Sequence, residues 1–169
     1  MKTVYIEESG MKFGPYPEDE CFRIEKSKIY EKIKENVKMA EFLLLYSQKI
    51  WIVEAKQSTP NPGTRPDFDD FIKEINEKLS NALSLGLAIC LKRHPNENLP
   101  RAFQELNLAN VDFRLVLVVN GHPKGWLPPL QDALQKSLNT TGKIWGLSPM
   151  AVKVMNDELA QEYKLITSE

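Results

Sequence analysis

Glu54 and Lys56 close an otherwise apolar, β-branched run, "IWIVEAK" (50–56), which Ser58, Thr59 and Pro60 then stop. In a strand, side chains two residues apart share a side, so an acid and a base stand together at its end. The preceding run, "AEFLLLY" (40–46), is separated from it only by Ser47, Gln48 and Lys49, which reads as an antiparallel hairpin. A symmetric turn at Ser47-Gln48 sets Tyr46 opposite Lys49 and, counted outward, Glu41 opposite Glu54. Directly opposed residues hold their Cβ atoms ~4.5–5.5 Å apart on one side of the sheet, and like charges there are destabilising. Such a pair calls for a compensating cation. Lys56 supplies one charge, and a divalent ion would supply more, since Mg²⁺ is typically held by one or two carboxylates with water and phosphate. Register decides the matter, because a slip of one residue sends Glu41 to the other face. Without that convergence, the charges are simply a strand end reaching solvent.

The elements that must position these residues read as an α/β domain with a mixed central sheet flanked by helices. "TVYIEESGMKFGPY" predicts two strands about Ser9-Gly10, and "ECFRIEKS" a further short one. "SKIYEKIKENV" predicts an amphipathic helix with Ser27 as N-cap and Ile29, Ile33 and Val37 on one face. The hairpin's near-continuous apolar residues imply strands covered on both faces. After the proline-rich "QSTPNPGTRP" loop, Asp67 is expected to cap a long helix striped by Phe68, Phe71, Ile72, Ile75, Leu79, Ala82 and Leu83, with "LGLAIC" open to either helix or strand. "VDFRLVLVVNG" reads as a strand, "LPPLQDALQKSL" as a helix with proline in its first turn, "AVKVMN" as a last strand and "DELAQEYKLI" as a terminal helix.

A chain of 169 residues is most economically one domain, and 42% hydrophobic with 27% charged residues is ordinary globular composition. With 22 basic against 23 acidic residues there is no global positive field to draw nucleic acid, so any such contact must be local. Cys21 and Cys90 form no CxxC pair, which argues against a zinc ribbon and for a reducing compartment. The first residues lack the apolar core of a signal peptide, and no run approaches the ~18 apolar residues of a membrane span. The expectation is a soluble cytoplasmic protein with no membrane partner.

Taken together, Glu41 at the head of one strand, Glu54-Ala55-Lys56 at the end of its hairpin partner, the helix after it and the strand from Val111 to Val119 resemble the PD-(D/E)xK, or restriction-endonuclease-like, nuclease superfamily. The resemblance covers about residues 27–121 and leaves both ends as additions to that core. It implies that Glu41 and Glu54 bind Mg²⁺ or Mn²⁺, that the Ala55 carbonyl can also ligate the ion, and that Lys56 positions or activates the attacking water. The implied activity is hydrolysis of phosphodiester bonds, of DNA in the first instance. The first acid is Glu where Asp is usual, and no proline precedes it.

The ExK spacing by itself carries little, since Glu162-Tyr163-Lys164 repeats it in the C-terminal helical stretch, where it reads as a solvated face. Glu25, ending an apolar segment, is a candidate for an additional acid, whereas Glu31 and Glu35 read as solvated charge. Lys78 and Asn81 flank the long helix and, with Arg65, Lys92, Arg93 and Lys124, are candidates for phosphate contact, against the plainer reading of Lys78 as a surface lysine. His94 and His122 sit in loops and are too few for a zinc site. Trp51, Trp126 and Trp145 form no spaced stacking platform and are expected in the core. No GxxxxGK[ST] loop or GxSxG elbow is present, which leaves common nucleotide hydrolysis and esterase chemistry without a basis. The rival to an enzyme is a catalytically silent nuclease-like module that binds a protein or nucleic acid within a larger complex, such as a defence-related one.

Overall fold

Ser9 and Gly10 take positive φ angles of 53° and 75°, the backbone twist that joins adjacent strands through a two-residue turn. They connect β1 (Thr3–Glu8) to β2 (Met11–Pro17) in a two-stranded antiparallel sheet. The computed structural model describes residues 2–167. After the two-residue β3 (Cys21–Phe22) and a single 3₁₀ turn (Ile24–Lys26), the Tyr30 amide donates to Ser27 Oγ and starts α1 (Lys28–Ile33). This helix is shorter than its periodicity predicts, and Val37 lies beyond it.

Ser47 and Gln48 repeat the positive-φ device at 51° and 62°. They turn β4 (Phe42–Tyr46) into β5 (Lys49–Lys56), with Tyr46 opposite Lys49 and Phe42 opposite Val53, the register expected from a symmetric turn. Next come α2 (Asp67–Cys90), α3 (Arg101–Gln104), β6 (Asp112–Val119), α4 (Leu127–Ser137), α5 (Asn139–Trp145), β7 (Val152–Asn156) and α6 (Asp157–Glu162). The main sheet runs β3-β4-β5-β6-β7, antiparallel from β3 to β5 and parallel from β5 to β7. Parallel neighbours need a crossover, which α2 with α3 and α4 with α5 supply.

The two faces of this sheet are covered differently. Leu43, Ile50, Ile52, Leu115 and Leu117 pack under Phe71, Ile72, Ile75, Leu79 and Leu83 of α2 and Leu130 and Leu134 of α4. Fully burying a side chain of this size contributes roughly 1.5–3 kcal/mol, so the α2 stripe is a main source of the helix's stability. Phe42, Leu44, Trp51, Val53, Val116 and Val118 face the other way, onto Ile6 and Phe13 of the β1–β2 hairpin and Leu165 beyond α6. The second face is therefore closed mainly by a hairpin and the chain's C-terminal segment, where helices were expected.

Several local expectations are corrected. Asp67 is the first residue of α2 and not its cap: Pro66 stands at the cap position and no side chain caps there. "LGLAIC" is helical, because Leu85, Leu87 and Ile89 continue a buried helix. The sequence offers no strand between α1 and Glu41 and none is present; the sheet edge on that side is β3, which precedes α1. Only Trp51 is a core tryptophan. Trp126 and Trp145 are 64% and 49% exposed, because each sits at the end of a short helical turn facing outward. Among the described residues no helix is long and apolar enough to cross a membrane.

Candidate active site

Glu54 is the one acidic or basic side chain among the described residues that is fully buried, at 0% exposure. Its position follows from alternation along β5, which sends Ile50, Ile52 and Glu54 toward α2. Burying a carboxylate is costly unless it is paired, and α2 supplies the partner. Lys78 Nζ donates to Glu54 Oε2 at 2.8 Å, while Lys56 Nζ lies 3.9 Å from the same oxygen. Glu74, one turn before Lys78 on α2, places Oε1 3.5 Å from Lys56 and 3.6 Å from Lys78. Two acids and two bases thus alternate between strand and helix. Glu54 Oε1, however, is buried with no hydrogen-bond partner.

The charges in this group perturb one another. Burial pushes the Glu54 carboxyl up, and the nearby ammonium groups of Lys78 and Lys56 only partly reverse it. Burial alone would depress Lys78, but the charge and hydrogen bond of Glu54, with the charge of Glu74, hold it above the usual lysine range. Glu74 resists a smaller burial effect and is lowered by Lys56, Lys78 and Lys38.

Glu41 stands one residue before β4, and its amide donates at 3.0 Å to the carbonyl of Val53, the residue already paired with Phe42, so the regular ladder ends there. The pairing expected of Glu41 with Glu54 is therefore not part of the ladder, although the two carboxyls are close enough for the charge of Glu54 to act on Glu41. Burial pushes its carboxyl up to about 9, followed by a hydrogen bond with the Glu25 carboxyl and the negative charges of Glu54, Glu25 and Glu8. At neutral pH and without a cation, Glu41 holds its proton. A strongly perturbed acid among other carboxylates is the kind of group that functional sites contain.

The site thus has two halves. On the α2 side lysines neutralise Glu54 and Glu74; on the side of β1 and the Ile24–Lys26 turn, Glu41 meets Glu25 and Glu8, the last of which is 3.4 Å from Arg23. The Ala55 carbonyl accepts a hydrogen bond from Ser9 Oγ at 3.0 Å. A carbonyl oxygen has two lone pairs, so that bond leaves capacity for another contact. Among the described residues no group of three or more His, Cys, Asp and Glu side chains is arranged to hold a metal ion. The donors that fit one are fewer: the neighbouring Glu41 and Glu54 carboxyls, with the partnerless buried Oε1 of Glu54, within the one or two carboxylates that suffice for hydrated Mg²⁺.

Of the other sequence candidates, Glu25 is brought to Glu41. Glu31 pairs with Lys34 on the surface, and Glu35 is exposed. Lys78 is no surface lysine: packing of the α2 stripe on β5 turns it inward to Glu54. Asn81 Nδ2 donates to the Lys38 carbonyl at 2.9 Å. Arg65 is exposed before the start of α2, paired with Asp69, whereas Lys92 and Arg93 follow its other end, which lies about 18 Å beyond Lys78 at 1.5 Å per residue. These three do not form one surface with each other. Sequence reasoning missed Glu74, Glu8 and Ser9. The i, i+4 spacing of Glu74 and Lys78 beside Ile75 and Leu79 was a usable signal; Glu8 and Ser9 arrive from a separate sheet and leave none. No family model matches this chain, no curated protein matches its sequence, and no solved structure matches its fold.

Proposed function

We propose that this chain is a metal-dependent nuclease of the PD-(D/E)xK kind, hydrolysing phosphodiester bonds of DNA. The observation that carries the reading is the fully buried Glu54, its Oε1 without a partner, beside a Glu41 whose pKa is raised by burial and then by neighbouring carboxylates, Glu54 among them. Glu41 and Glu54 would hold Mg²⁺ or Mn²⁺, with the Ala55 carbonyl as a further donor and Glu25 as the additional acid. The bound ion would stabilise charge on the phosphate and lower the pKa of a bound water. Lys56, 25% exposed at the end of β5, orients the attacking water. Lys78 is a positioning residue that offsets part of the cost of burying the Glu54 charge and fixes one of its oxygens. Glu74 holds both lysines in place.

Cleavage of single- and double-stranded DNA and RNA with Mg²⁺ or Mn²⁺, with and without chelator, tests this directly. The wild type should cut, chelator should stop it, and Glu54→Gln and Lys56→Met should each be inactive while folded. An active Glu54→Gln variant would refute the assignment.

A second reading has its own observation. Lys78 already neutralises Glu54, and Ser9 already bonds the Ala55 carbonyl, as in a nuclease-like module that binds partners without cutting. In that case metal would leave the melting temperature unchanged and no nucleic acid would be cleaved.

A further inference from the structure

A cavity of about 580 Å³ opens between the segment that follows β5 and the segment that follows β6. Its volume lies in the range of roughly 300–1,000 Å³ usual for ligand sites. Its place is also apt: β5 and β6 are parallel neighbours, and ligands of such sheets bind in the crevice outside the carboxyl ends of the strands. Gln57, on its wall, directly follows Lys56.

The chemistry of the lining narrows the ligand. No Asp, Glu, Lys or Arg contributes to it, so it is not built for a phosphate or a carboxylate. Gln57, Asn61 and Asn120 bring side-chain amides; Asn61 Oδ1 already accepts from the Gly63 amide and Asn120 Nδ2 already donates to the Ser9 carbonyl, which leaves the Asn61 NH₂ and the Asn120 Oδ1 for a ligand. Trp126 is 64% exposed and meets His122 edge-on at 5.8 Å between ring centroids. His122 Nε2 is buried without a hydrogen-bond partner. A large indole in solvent and several amides around one uncharged cavity match a flat, uncharged heteroaromatic ring with donors and acceptors along its edge.

We propose that this cavity holds a single unstacked nucleobase, stacked on Trp126 and read at its edge by the free groups of the side-chain amides. The proposal deepens the nuclease reading and rests on it for the base's role: the cavity wall begins at Gln57, the residue after the candidate catalytic lysine in the chain. A nucleobase can arrive as a free nucleoside or within a strand, and the same contacts serve both.

The test is titration of the full chain in chelator, without divalent metal, with each common nucleoside and with short single-stranded oligonucleotides, read by tryptophan fluorescence and calorimetry. Binding should quench fluorescence, Trp126→Ala should weaken it about tenfold, the scale of one base–aromatic stack, and Trp126→Phe should retain affinity while losing the quench. Saturation by a nucleoside alone supports a free base as ligand; Trp126-dependent binding of oligonucleotides only supports a strand-borne one. No binding of either at millimolar concentration, or binding indifferent to Trp126→Ala, would overturn the proposal. Since metal is absent, a chain with no nuclease activity would still bind the base. Conversely, metal-dependent cleavage that ignores Trp126→Ala would leave the nuclease reading standing and remove this one.

Discussion

Glu54-Ala55-Lys56 and Glu162-Tyr163-Lys164 share a spacing and nothing else. The first ends a strand paired on both sides, with its acid at 0% exposure and its lysine sandwiched between Glu54 and Glu74. In the second, Glu162 is the exposed last residue of α6 and Lys164 an exposed residue with φ of 62°. An acid and a base two apart on a strand point the same way, whereas at a helix end they do not. What makes the first copy a candidate for chemistry is that packing removes water from its acid and brings a second acid, Glu41, near it.

The widest separation between the copies should appear in cleavage. Glu54→Gln or Lys56→Met is expected to lower the metal-dependent rate by at least ~10²-fold, the scale of losing one electrostatic contact to the reacting group, while Glu162→Gln and Lys164→Met leave it unchanged. Equal losses in both copies, in the same cleavage assay, would erase the distinction.

Stability should separate them next. Lys78→Met strips the buried Glu54 of its closest charge partner and should cost about 3 kcal/mol in denaturant unfolding without metal. Lys164→Met, on the surface, should stay within about 0.5 kcal/mol. A neutral Lys78→Met would mean that Glu54 is not dependent on its lysine.

The pH dependence sharpens the comparison from the acidic half of the site. Glu41 binds its proton more tightly folded, near 9, than in an unfolded chain. Its contribution to stability is therefore fully present below about pH 4.5 and is lost as pH rises through about 9. In chelator, unfolding at stepped pH should show this decline, and Glu41→Gln should flatten it. A smaller effect is expected at Ser9: Ser9→Ala deletes the hydroxyl on the Ala55 carbonyl and should cost about 1 kcal/mol. If Ala55 ligates metal, the same variant should not weaken Mn²⁺ binding.

Much of this was legible from local pattern. The two-residue link at Ser47-Gln48 settles which residues oppose each other, and the stripe from Phe71 to Leu83 settles which face of α2 meets the sheet, because both follow from fixed periodicities. Long-range choices left weaker traces. Nothing in "TVYIEESGMKFGPY" says that the hairpin closes the second face and brings Glu8 and Ser9 beside Glu41 and Ala55. Lys78 looked solvent-directed because a lysine on a helix flank usually is, and only the depth of Glu54 turns it inward. Trp126 looked like core because tryptophan usually is, and its exposure depends on where the segment after β6 comes to rest.

The central claim is that Glu41 and Glu54 together form a divalent-metal site, and calorimetric titration of Mn²⁺ tests it without needing a substrate. The wild type should bind one ion per chain, release protons near neutral pH as Glu41 ionises, and lose both signals in Glu54→Gln. No binding at millimolar Mn²⁺, or binding unchanged in Glu54→Gln, would contradict it.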